Sequence, residues 1–179
     1  MALYTLADLH LAADVAKPMD IFGGRWQGHT ERSSKLACAC CAGGHHCFGR
    51  GYFVGHQPCG SERRFCADRL AAGQKDHLKG NHDLWWETAS KMHRFLDENG
   101  FTTIDFLHNN CFFYEKTALC GTRGWPFEED FADPHNEKIF KRELLRLEAS
   151  LKLGAAANPE EILCFLHYPS AYAPTAAVR

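Results

Sequence analysis

The sequence predicts a layered α/β fold, and three observations predict it. Short apolar runs at residues 2–7, 102–107 and 162–166 read as strands. Residues 85–99 and about 134–153 carry helical periodicity between them. Polar clusters stand where apolar segments stop: Asp8-Leu9-His10, Lys79-Gly80-Asn81-His82-Asp83 and His167. Strands alternating with helices favour a sheet covered by helices. In open α/β sheets, ligands bind at the C-terminal ends of the strands.

Residues 2–7 are expected to form a buried strand whose end presents Asp8 and His10. Residues 14–30 form a loop with Pro18, Gly23, Gly24 and Gly28, in which Phe22 and Trp26 are expected to pack. Residues 33–77 show neither helical nor strand periodicity and are rich in Cys, Gly, Arg and His. They are expected to be irregular and to add little to a core. From Leu78 the patterning is regular. Trp85, Ala89, Met92 and Leu96 fall on one stripe of a helix over residues 85–99, with Gly100 as its stop. Residues 111–114 and 117–120 flank Glu115-Lys116 as a hairpin. Asp133 followed by Pro134 is a helix start, Leu144, Leu147 and Leu151 make an apolar stripe, and Gly154 is placed as the stop. Asn158-Pro159 starts a turn, and residues 162–166 read as a strand buried on both faces.

A chain of 179 residues is expected to form one domain. Its 45% apolar and 23% charged residues are ordinary for a globular protein, so no disordered or fibrous class is indicated. A net charge of -2 makes no electrostatic case for nucleic acid or an anionic membrane as partner. Residues 1–18 lack a basic n-region and carry Asp8 and His10, so no signal peptide is expected and the cytoplasm is the expected compartment. Six of the nine cysteines, Cys38, Cys40, Cys41, Cys47, Cys59 and Cys66, crowd into one stretch. Without an export signal, a disulfide framework is not expected.

Asp8, His10, Asn81 and His167 offer a carboxylate, an amide oxygen and imidazoles but no thiolate. That donor set suits divalent Mn, Fe or Zn in an open site. Two such ions about 4 Å apart clamp a phosphate and activate water for in-line attack. His82 is then placed to donate a proton to the leaving oxygen or to hold the phosphate, with Asp83 fixing its tautomer. Taken singly, Asp-x-His or a lone histidine is most often surface or packing chemistry. Gly-Asn-His-Asp after an apolar segment is far more specific, and the three clusters in this order reinforce one another.

These residues carry a resemblance to a bacterial subgroup of the calcineurin-like metallophosphoesterase superfamily. The motifs are Asp8-Leu9-His10, Lys79-Gly80-Asn81-His82-Asp83 before Trp85-Trp86, Cys120-Gly121-Thr122-Arg123-Gly124-Trp125 and Phe165-Leu166-His167-Tyr168-Pro169, and the match covers residues 1–32 and 78–170. The resemblance implies a four-layer α/β/β/α sandwich that hydrolyses phosphomonoesters or phosphodiesters with two divalent metal ions. By it, Asp8, His10, Asn81 and His167 are metal ligands and His82, with Asp83 beside it, is the catalytic or phosphate-contacting histidine. Arg123 is a candidate phosphate contact, with structural packing of its loop as the alternative role.

Two family motifs are missing: a Gly-Asp pair whose carboxylate bridges the metals, and a terminal Gly-His-x-His. The first absence has a specific explanation. A family segment ending in Lys-Gly-Asn-His-Asp, back-translated with synonymous codons and read one nucleotide out of register, gives residues 41–83. The bridging Asp codon is then split between Gly51 and Tyr52. The second absence reads as truncation after Tyr172. The chain is therefore expected to be a frameshifted member with impaired activity. Two alternatives compete: a non-catalytic zinc-binding or interaction protein using Cys38, Cys40, Cys41, His45, His46, Cys47, Cys59 and Cys66, and a functionless pseudogene product. The cysteine spacing departs from paired C-x₂-C sites, which weakens the zinc alternative.

Overall fold

A computed structural model of the chain describes residues 2–7, 19–29, 31–33, 35, 46–50, 73–125 and 133–168. The architecture is mixed α/β, built on two small sheets. The chain divides into two compact units, Met1–Phe106 and Leu107–Arg179.

The first unit carries a four-stranded sheet in the order β1 (Leu3–Ala7), β2 (His46–Arg50), β3 (Lys75–Leu78), β4 (Ile104–Leu107). β1 and β2 run parallel with Ala7 opposite Arg50, and β2 and β3 run parallel with Arg50 opposite Leu78. The three strands therefore finish in register along one edge. α1 (Ala89–Glu98) connects β3 to β4, and Lys75 N–H donates to Thr103 O at 2.8 Å. The core beside this sheet is aromatic: Trp85, Trp86, Met92, Leu96, Phe101, Ile104 and Phe106 are buried together, with Leu6 and Phe95 packed against them. The Trp86 and Phe106 rings meet edge to face at 5.1 Å, a favoured aromatic geometry. Gly100, at φ +69°, terminates α1 as expected.

Three expectations for this unit change. The helix begins at Ala89 rather than 85, and Trp85 is buried in the turn before it. β1 lies at the edge of its sheet and is only partly covered, with Tyr4 exposed. Phe22 is also exposed, in a 3-10 turn, while Trp26 is half-buried and meets His29 edge-on at 5.8 Å. Residues 33–77 are not irregular throughout: β2 forms inside them and β3 begins at Lys75. Ladder pairing runs through backbone N–H and C=O groups. A segment lying between two strands therefore pairs without an alternating side-chain pattern.

The second unit holds a three-stranded sheet in the order β5 (Phe112–Tyr114), β6 (Thr117–Thr122), β7 (Glu161–Leu166). β5 and β6 form the expected antiparallel hairpin, closed by Glu115 at φ +53°. β6 and β7 run parallel from Thr117 opposite Glu161 to Thr122 opposite Leu166. α2 (Pro134–Ala156) is the crossover between them, with Asp133 Oδ1 accepting from His135 N–H at 2.9 Å as its N-cap.

The face that α2 buries is rotated from the expected stripe. Glu143, Ser150 and Gly154 are buried, whereas Leu144 is half exposed. Gly154 does not stop the helix. It lies inside it, and a Cβ there would meet Cys120 Sγ at 2.5 Å, so the glycine permits close approach of α2 to β6. The left-handed residue after the helix is Asn158, at φ +52°. β7 is an edge strand with Ile162 exposed, not a strand buried on both faces. A continuous apolar run reads the same whether one neighbour or two cover it.

Candidate functional site

The Lys79-to-Asp83 turn leaves the end of β3 between buried anchors. Leu78 is 2% exposed on one side, and Trp85 and Trp86 are buried on the other. Asp83, itself 2% exposed, accepts from Gly80 N–H through Oδ2 at 2.6 Å. That bond spans the turn and satisfies a buried carboxylate, which otherwise loses hydration without compensation. Leu84 N–H donates to His82 O at 2.9 Å, and Trp86 N–H to Asp83 O at 3.1 Å, so the chain doubles back at once. Asn81 and His82 stand exposed at the tip. The turn is thus tethered at its base, with Asn81 and His82 at its exposed tip.

Asp8 and His10 lie outside the described residues. Their strand β1 ends at Ala7, in line with Arg50 and Leu78. Adjacent strands are about 4.8 Å apart. Asp8 in the sequence therefore follows a strand end two strand spacings from that of β3. Between them, the residue after Arg50 is Gly51, which has no side chain to ligate with.

Arg123 and His167 belong to the second unit. They follow Thr122 and Leu166, which are register partners at the ends of β6 and β7, and Tyr168 N–H donates to Arg123 O at 2.9 Å. The Arg123 guanidinium lies 4.7 Å from the Trp125 ring centroid and 5.6 Å from that of Tyr168. Burial lowers the pKa of Arg123, because a cation removed from water loses hydration; the Tyr168 and Glu143 charges oppose that shift. The His167 and Tyr168 rings meet edge to face at 5.2 Å.

Sequence reasoning missed Glu143, the buried acid beside Arg123. Its Oε2 accepts from Thr122 Oγ1 at 2.6 Å and its Oε1 from Arg146 Nη1 at 2.7 Å. One signal was present: Glu143 and Arg146 stand three apart on α2, a spacing that pairs side chains on a helix face. Sequence reasoning also missed His93, whose Nε2 lies 2.9 Å from Asp105 Oδ1 on the exposed side of the first unit.

Among the described residues, no group of three or more His, Cys, Asp or Glu side chains is placed to hold a metal ion. Of the cysteines and histidines proposed for zinc, only His46 and Cys47 fall among the described residues, both in the backbone of β2. The thiols of Cys111, Cys120 and Cys164 are free, and burial raises the pKa of each above 9.0. Such thiols make poor nucleophiles and poor metal ligands at neutral pH. No helix among the described residues is long and apolar enough to cross a membrane. No family model, curated protein or solved structure matches the chain.

Proposed function

We propose that the chain is built on the scaffold of a bacterial, cytoplasmic metallophosphoesterase with a four-layer α/β/β/α plan, and that its activity is impaired. One observation carries the reading: β1, β2 and β3 are parallel and end in register at Ala7, Arg50 and Leu78, so Asp8-Leu9-His10 and Gly80-Asn81-His82-Asp83 both follow C-terminal strand ends of one sheet. This is where α/β sheets assemble ligand sites.

In the first unit, the residues that would hold divalent metal are Asp8, His10 and Asn81. The donor chemistry fits hard-to-borderline metals, and the exposed Asn81 on a braced turn fits a ligand. When bound, such ions lower the pKa of water and neutralise phosphate charge. The chain's own share is positional. Asp83 holds the turn through Gly80 N–H, and His82 at its tip donates the proton that a leaving alkoxide needs.

Impairment follows from the middle strand. β2 is followed by Gly51 where a bridging carboxylate would have to stand. Two cations sharing a site without that anion repel each other uncompensated. Metal content by elemental analysis and Mn-supported hydrolysis of an aryl phosphate ester test both parts. The wild-type chain is expected to bind metal substoichiometrically with little turnover, and Gly51→Asp to raise metal uptake. Two tightly bound ions with robust turnover in the wild type would refute impairment. Absence of metal binding in both proteins would refute the phosphoesterase scaffold.

A further inference from the structure

We propose that Cys111 and Cys120 form a redox-modification site, a cross-strand dithiol of the second unit that closes to a disulfide when a peroxide oxidises it. The hairpin register puts the two together. Tyr114 and Thr117 are partners across the two-residue turn, followed by Phe113 with Ala118 and Phe112 with Leu119. One step further brings Cys111 opposite Cys120. Partners that close a two-residue turn exchange backbone hydrogen bonds, and such pairs alternate with pairs that do not. Counted back from Tyr114, the Cys111–Cys120 pair is of the second kind, in which Cα atoms stand about 4.5 Å apart and side chains are closest. That separation falls within the range of about 4.4–6.8 Å that a disulfide spans.

Two further observations fix the pair. Ser150 Oγ accepts from Gly121 N–H at 3.0 Å and donates to Asn110 O at 2.6 Å, so α2 ties together the neighbours of both cysteines. A Cβ on Gly154 of α2 would meet Cys120 Sγ at 2.5 Å and Cys111 Cβ at 3.9 Å, so both side chains lie on the sheet face that α2 covers. Cys120 is fully buried, with its S–H donated to Ser150 O at 3.4 Å, and Cys111 is half-buried.

Oxidant therefore enters at Cys111. Its sulfur attacks the O–O bond of hydrogen peroxide, which leaves a sulfenic acid on Cys111 and one water. The Cys120 thiol then attacks that sulfur. The S–O bond breaks, a second water departs and the S–S bond forms. Two electrons pass from the thiol pair to the peroxide, and a dithiol reductant reverses the change. Burial raises the pKa of both thiols, so the pair closes under sustained oxidant and stays reduced under a trace of it. The inference goes beyond the metal-dependent reading, because every residue it uses lies in the second unit.

The test is oxidation of the full chain with hydrogen peroxide under a chelator, followed by alkylation of the remaining thiols and non-reducing peptide mapping. Cys120 is expected to be recovered linked to Cys111, and the linkage to disappear with dithiothreitol. Cys111→Ser is expected to leave Cys120 unlinked. The same oxidation in guanidinium, where the register is lost, is expected to lower the share of Cys120 linked to Cys111. Cys120 that stays reduced would overturn the proposal, as would Cys120 paired chiefly with Cys164, its register partner on β7, or with a cysteine of residues 38–66. So would Cys120 oxidation that Cys111→Ser does not slow. A linked share unchanged by unfolding would overturn it too, and that comparison uses the wild-type chain alone, so it stands even where the variant does not fold.

Discussion

β3 and β6 are heavily buried strands among the described residues of their units, and they are built from opposite materials. In β3, Lys75, Asp76, His77 and Leu78 are all buried, so three of the four residues are ionisable or basic. Lys75 Nζ reaches Gly73 O and Thr103 Oγ1, and Gln74 Nε2 donates to Asp76 Oδ1 at 3.0 Å. In β6, Ala118, Leu119 and Cys120 are fully buried. Its polar atoms meet dedicated partners on α2: Ser150 Oγ accepts from Gly121 N–H at 3.0 Å and donates to Asn110 O at 2.6 Å, while Thr122 bonds Glu143. The two strands show that burial alone does not make a core. In β6, patterning, hydrogen bonding and close packing agree. In β3, the backbone sits where a strand belongs while ionisable side chains give up hydration that polar partners replace.

The sharpest test of β6 is Gly121→Ala. A Cβ at Gly121 would stand 2.1 Å from Phe165 O, a backbone atom of β7 that cannot swing aside. A loss of about 3 kcal/mol is expected in chemical denaturation. A loss below about 0.5 kcal/mol would show that β6 and β7 are not in tight register. Ser150→Ala comes next. It strips partners from Gly121 N–H and Asn110 O together, and should cost about 2 kcal/mol.

β3 should respond in the opposite direction. Lys75→Met combined with Asp76→Val removes two buried charges and keeps volume, so a gain of about 1–2 kcal/mol is expected. A large loss in that double variant would mean that the charged strand is optimised after all, and the contrast with β6 would fall. Cys120 supplies a smaller, pH-dependent effect. Burial raises its pKa above 9.0, so the folded state holds the thiol proton more tightly than the unfolded chain. The stability this contributes is complete below pH 9 and is lost as pH rises through the folded value. Melting curves from pH 7 to 11 should show a steeper alkaline decline for the wild type than for Cys120→Ala. Lys116→Ala should do least. Its partner Glu160 is as exposed as Lys116 itself, and the pair is worth less than about 1 kcal/mol.

What was legible in the sequence was local. The Asp133-Pro134 helix start, the Glu115-Lys116 hairpin, the stop at Gly100 and the strands around Ile104 and Ile162 all rest on residues within a few positions of one another. The misreadings share a cause. The buried face of α2 turned from Leu144 to Glu143 because β6 supplies Thr122 as a partner for the carboxylate and Cys120 as a close neighbour for Gly154. β7 looked doubly covered because an apolar run carries no record of how many layers meet it. β2 was invisible because a strand held by its neighbours' backbones needs no pattern of its own. The exposed turn carrying Asn81 and His82 lies where the Gly-Asn-His-Asp motif stands in the sequence, whereas the Glu143 network was not legible, because its members come from different elements.

By itself the sequence determined the start of α2 at Asp133-Pro134 and the stop of α1 at Gly100, which residues carry metal-type donors, and that position 51 lacks a carboxylate, since each of these is a property of residue identity and near neighbours. Only the tertiary structure decided that Ala7, Arg50 and Leu78 share one sheet edge, that Arg123 lies against the paired rings of Trp125 and Tyr168, and that Glu143 rather than Leu144 faces β6. Those outcomes depend on strand order and on which side chain finds a partner across space. Side chains far apart in sequence compete for the same buried volume and the same hydrogen-bond acceptors, and periodicity along the chain does not encode that competition.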